Sequence, residues 1–132
     1  MIHEVLPVGQ LGCNCSILGD PETGEGIVID PGDDISEIEA ILSKHGLMVK
    51  MILITHAHID HIMGVKAVHE ATGAPIYLHR ADRPLYDSLP QYGSWVGMQL
   101  ERPPAPHERI AGVGIAPGFA HGLKRCRVIP VM

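Results

Sequence analysis

Aromatic residues are scarce in this sequence. One Trp, three Tyr and one Phe make up 4% of 132 residues, so any core has to be aliphatic. Basic residues are outnumbered, with 10 Lys and Arg against 15 Asp and Glu and a formal net charge of -5. That balance argues against a general nucleic-acid or membrane-surface binder. No stretch approaches the roughly 18 apolar residues of a membrane span. The opening Met1-Ile2-His3-Glu4 lacks the basic start and long apolar run of a signal peptide. The expectation is a soluble, cytoplasmic chain. Cysteine is also sparse: Cys13, Cys15 and the distant Cys126 form no disulfide framework and read as reduced thiols. Cys13 and Cys15 read as small side chains on an early strand, with soft metal ligation as the lesser alternative. The length suits one modest domain with a single core.

Histidine, by contrast, is concentrated. In Thr55-His56-Ala57-His58-Ile59-Asp60-His61, four strong metal-ligand side chains fall within six residues, directly after the apolar run Met51-Ile52-Leu53-Ile54. A buried strand gives such a segment a stiff base, and ordered ligands bind a cation at lower entropic cost. His56 and His58 share parity, so in an extended segment they point the same way. Asp60 keeps that parity and adds a hard oxygen. His61 breaks it, so the chain must turn there. Imidazole suits zinc, iron, copper or nickel. The pattern predicts two adjacent metal ions, one held by His56 and His58 and the other by Asp60 and His61. A histidine-rich loop without metal is the bland alternative.

The rest of the chain reads as α/β. Strands are expected over residues 2–8, 13–18, 26–30, 50–54 and 75–79, with a hairpin across the turn formers of Gly19 to Gly24. Ile35, Ile38, Ile41 and Leu42 form one apolar stripe, predicting a helix over 34–45 capped by Asp34 or Ser36 and closed by Gly46. A second helix is expected over 62–71, with Asp60 and His61 at its N-terminus, and a short third one over 80–89. His69 reads as a surface residue and His79 as a polar residue at a strand end. Asp30 either orients a ligand histidine from behind or caps a turn. The implied architecture is one mixed sheet with helices on one face.

From Pro90 the pattern stops. Arg102-Pro103-Pro104-Ala105-Pro106 reads as a stiff extended linker. No acidic residue follows Glu108, and residues 111–132 are basic and Gly-rich. This tail is expected to be irregular or foreign to the fold, even out of its native reading frame.

The motif Thr-His-Ala-His-Ile-Asp-His, preceded by a strand and by Val28-Ile29-Asp30-Pro31-Gly32, resembles the metallo-β-lactamase superfamily. The run from Glu70 to His79 resembles its glyoxalase II-like branch, the hydroxyacylglutathione hydrolases. The resemblance covers about residues 1–110. It implies the first half of an αββα sandwich, with the second half absent. It also implies two metal ions, usually zinc, with iron or manganese as substitutes. Carried over, His56 and His58 bind the first ion, and Asp60 and His61 the second. Asp60 also orients the nucleophile. The family's later histidines and its bridging Asp have no recognisable match, and His121 is a weak replacement. The implied reaction is hydrolysis of a thioester or ester by attack of zinc-bound hydroxide on a small-molecule substrate. The alternatives are an iron-dependent sulfur dioxygenase relative and an inactive truncated remnant that binds metal. A missing half-sandwich would leave apolar surface uncovered and favour self-association.

Overall fold

The computed structural model describes residues 1–9 and 12–106. The basic tail, with His121 and Cys126, lies outside them.

Five strands form one sheet in chain order: β1 (Ile2–Val8), β2 (Cys13–Gly19), β3 (Glu25–Ile29), β4 (Met48–Ile54) and β5 (Ile76–Leu78). β1, β2 and β3 pair antiparallel, whereas β3, β4 and β5 run parallel, so the sheet is mixed as expected. The hairpin between β2 and β3 closes where the Gly24 amide donates to the Asp20 carbonyl at 2.8 Å. Helix α1 (Ile35–His45) follows β3 and ends at Gly46, whose φ of 63° supplies the left-handed stop. Its start differs from expectation. Asp34 occupies the cap position and its carbonyl accepts from the Glu37 and Ile38 amides at 3.0 and 3.2 Å, but its side chain caps no helix amide; its Oδ2 accepts instead from the Gly9 amide at 2.9 Å.

The core lies on one face. Ile38 and Leu42 of α1 pack with Cys15, Ile17, Val28, Ile52, Ile54 and Ile76 of the sheet. The opposite face carries Ile27 and Met51, flanked by the half-buried Leu18, Ile29, Leu53 and Tyr77. Side chains alternate along each strand, so this division follows directly from sequence parity.

The expected second helix is two helices. α2 (Ile59–Ile62) and α3 (Val65–Thr72) are separated by Met63 and Gly64. The break lies at a close tertiary contact. A Cβ on Gly64 would stand 2.4 Å from the Pro31 carbonyl oxygen, so only glycine admits the loop after β3. Asp60 and His61 therefore sit inside a single helical turn, too short to carry a substantial macrodipole. After β5, the chain makes a 3-10 turn (Arg80–Asp82), then α4 (Arg83–Asp87) and α5 (Leu89–Trp95). α5 was not legible from the sequence. Its Pro90 occupies the first turn, where the missing amide costs nothing, and Gly93 lies against Leu100. Residues 101–106 form no regular element, yet they are anchored: Tyr86, fully buried, donates its hydroxyl to the Pro104 carbonyl. Among the described residues, no helix is long and apolar enough to cross a membrane.

Candidate metal centre

The centre forms where parallel strands β3 and β4 end side by side. Asp30 leaves β3 with a φ of 54°, a left-handed conformation that a non-glycine residue adopts only when held. It is held on both sides. Its amide donates to the Leu53 carbonyl at 2.9 Å, and its Oδ1 accepts from the Thr55 amide at 2.8 Å. Its Oδ2 accepts from the Thr55 hydroxyl and lies 3.0 Å from Nδ1 of His61. Asp30 is the one buried charged residue among those described, 4% exposed. Of the two roles left open for it, the structure supports the orienting one.

This carboxylate sets two imidazoles. Facing Oδ2, Nδ1 of His61 carries a proton, so in the neutral ring the lone pair sits on Nε2. Thr55 has one hydroxyl proton and spends it on Asp30. Its oxygen therefore accepts from Nδ1 of His56, 3.1 Å away, and leaves that residue's Nε2 unprotonated too. Burial lowers the His56 pKa below the usual histidine range, and the neighbouring His61 and His58 lower it further. A neutral ring is the form that ligates metal.

The three motif imidazoles cluster, and Asp60 adjoins His61. The His56 ring centroid lies 4.5 Å from that of His58 and 3.9 Å from that of His61, and His58 and His61 are 6.3 Å apart. Nε2 of His61 is 3.6 Å from Oδ2 of Asp60, too far for a hydrogen bond. Two ligands on one tetrahedral zinc stand roughly 3.3 Å apart, from bond lengths near 2.0–2.2 Å. Asp60 and His61 thus stand at a spacing that suits a shared divalent cation, whereas the one set of three donors grouped within 4.8 Å among the described residues contains neither His56 nor His58. His58 is exposed and takes the extended cap position before α2.

Two glycines let the motif reach this place. Besides Gly64, a Cβ on Gly32 would lie 1.7 Å from the Asp60 carbonyl oxygen, so the loop after β3 packs backbone against backbone on α2. Sequence reasoning singled out neither glycine for this role, and it did not see Thr55 as the link between Asp30 and His56. It also set Cys13 aside as a core filler. In the structure the thiol sulfur of Cys13, a carboxylate oxygen of Asp60 and a ring nitrogen of His61 all lie within 4.8 Å of one another. Burial pushes the Cys13 thiol up to about 11, with the Asp30 and Asp60 carboxylates adding to the shift. The two remaining histidines of interest are structural. His79 accepts the Ala81 amide at 3.0 Å and caps the 3-10 turn. His69 is half-buried, with Nδ1 2.8 Å from the Ala74 carbonyl oxygen, and ties the end of α3 to the start of β5.

Known proteins resemble this chain in sequence and in fold. The chain is 35% identical over 110 residues to an uncharacterized protein of Mycobacterium tuberculosis, matching 79% of this chain and 49% of that one. It is 30% identical over 96 residues to the hydroxyacylglutathione hydrolase GloC of Haemophilus influenzae, matching 72% of this chain and 45% of that one. The chain spans about half the length of the curated relatives it matches. Among solved structures, the B3 metallo-beta-lactamase BLEG-1 superposes with a TM-score of 0.75 at 28% identity, over 89% of this chain and 57% of that one. TTHA1623 in a di-iron-bound form superposes with a TM-score of 0.73 at 32% identity, over 85% and 56%. The metallo-beta-lactamase superfamily model matches residues 8–123. On that match, and on a mixed sheet that carries His-x-His-x-Asp-His just past the end of β4, the chain belongs to the metallo-beta-lactamase superfamily.

Proposed function

We propose that this chain carries the metal-binding part of a hydrolase of small-molecule thioesters or esters, similar to the hydroxyacylglutathione hydrolases. His56 and His58 hold one divalent cation, zinc in the first instance, and Asp60 and His61 hold a second. The observation that supports this most is the pairing of His61 with Asp30. One ring nitrogen is fixed by a buried carboxylate, and the other faces Asp60 at 3.6 Å. Outer carboxylates of this kind set the tautomer of metal-ligating histidines.

When bound, the metal supplies Lewis acidity that makes water a nucleophile near neutral pH. The chain's residues do the rest. Asp30 and Thr55 keep protons on the Nδ1 atoms of His61 and His56 and away from Nε2. Asp60 would help hold the cation and would orient the attacking water. Similarity to GloC supports an acyl-glutathione thioester as the substrate class.

A catalytic zinc takes about three protein ligands plus water. The motif offers two residues per ion. The 132-residue chain is therefore expected to bind zinc weakly at its first site and to hydrolyse S-lactoylglutathione well below the rate of longer relatives. Turnover near theirs under saturating zinc would contradict this ligand count. Equal zinc binding by the parent and His56→Ala in equilibrium dialysis at saturating zinc would remove His56 as a ligand of the first site. A second reading draws on the di-iron form of TTHA1623: an iron-dependent sulfur dioxygenase relative. Iron in the purified protein together with oxygen uptake on glutathione persulfide would favour it. Metal binding without either activity would mark an inactive remnant. Trp95, Val96 and Met98 are exposed and support self-association, which sedimentation over a range of concentrations reports directly.

A further inference from the structure

Cys13 opens β2, and its position follows from register. Ser16 pairs with Ile29, the last residue of β3, so Cys13 lies three residues further along, beside the loop that follows β3. Cys13, Cys15 and Ile17 alternate onto the face that carries the helices, and α2 packs against β2. Cys15 is fully buried in aliphatic surroundings and serves as a small core residue. Cys13 is different. It sits at the rim, 6% exposed, and among the described residues no hydrogen bond engages its sulfur. Its sulfur is instead grouped with Asp60 and His61 inside 4.8 Å.

We infer that Cys13 is a third ligand of the Asp60–His61 metal site, entering as thiolate and giving that site a sulfur, an oxygen and a nitrogen donor. The inference rests on the proposed metal-binding reading and deepens it. Three protein ligands and one open position are the usual complement of a catalytic zinc. The second site thus reaches that complement from within this chain, and among the described residues the His56–His58 site gathers no third donor. Binding displaces the thiol proton to solvent, and the sulfur–metal bond takes its place. A sulfur donor also shifts preference toward zinc, cobalt and cadmium and away from magnesium and manganese, because soft ligands select soft cations.

The test is a cobalt(II) titration of the whole 132-residue chain, read by the near-ultraviolet thiolate-to-cobalt charge-transfer band. The band is expected in the parent, in Cys15→Ser and in Cys126→Ser, and it is expected to vanish in Cys13→Ser. Zinc affinity should fall in Cys13→Ser by at least the roughly 10–100-fold that losing an outer partner costs. Cobalt bound without the band, or a band that survives in Cys13→Ser, overturns the inference and leaves the metal-site reading standing. Absence of any cobalt binding by the parent overturns both. A second measurement needs no variant: zinc should slow alkylation of Cys13 by iodoacetamide, followed by peptide mass spectrometry. An unchanged rate in zinc-loaded protein counts against Cys13 as a ligand even where Cys13→Ser fails to fold.

Discussion

Replacing Asp30 by Asn should separate metal affinity from stability. The backbone amide of Thr55 donates to Oδ1 and cannot reverse, so the Asn carbonyl must take that place. Its NH2 group then faces Nδ1 of His61 and the Thr55 hydroxyl, where an acceptor stood before. His61 must accept at Nδ1, and its proton moves to Nε2, the atom that faces Asp60. The Thr55 oxygen accepts from Asn as well, which frees its own proton to point at His56. One substitution thus reverses both tautomers. Metal affinity should fall about 10–100-fold, or about 1.4–2.8 kcal/mol. Stability of the metal-free protein should change little, by about 1 kcal/mol. Charge-assisted bonds become neutral ones, but the penalty for burying a carboxylate disappears. Asp30→Ala is the contrast. It strands the Thr55 amide, the Thr55 hydroxyl and the His61 ring, each worth roughly 1–3 kcal/mol, and should cost about 3 kcal/mol or more. Zinc competition against a chromophoric chelator gives the affinities, urea melts give the stabilities, and long-range nitrogen–proton NMR of the rings gives the tautomers. Parental zinc affinity in Asp30→Asn, or His61 still protonated at Nδ1, would refute the reasoning.

Two further outcomes follow from the same geometry. Gly32→Ala places a methyl group 1.7 Å from the Asp60 carbonyl oxygen, so α2 must move. It should lose about 1–3 kcal/mol in urea melts and weaken zinc binding, whereas an unchanged melt would mean the loop and α2 are not held together. The pH dependence of the metal-free protein has a definite sign. The His56 pKa is lowered in the folded state, so the unfolded chain binds more protons. Stability should therefore decline as pH falls through about 6.5 toward the lowered His56 value, and His56→Gln should flatten that slope. An identical slope in the variant would remove His56 as its source.

The strands were legible because their apolar residues alternate and turn formers bound them. α1 was legible because its stripe ends at Gly46. The motif histidines stood out by type and spacing alone. What stayed hidden depends on contacts distant in sequence. Gly64, between α2 and α3, lies where a side chain would meet Pro31, more than thirty residues earlier. Asp30 acts through Thr55 and His61, 25 and 31 residues away. α5 contains Pro90 and Gly93, poor helix formers by propensity, and is secured by packing against Leu100. The sulfur of Cys13 looked like one more small core atom, because only the register of β2 on β3 carries it to Asp60.

The most direct test is metal content. Elemental analysis of the purified chain after zinc loading and desalting should find close to one tightly held zinc per molecule, with a second bound weakly. His61→Ala should release the tight ion. Metal content indistinguishable from zero in the parent, or a full complement retained in His61→Ala, would contradict the assignment of these side chains as ligands.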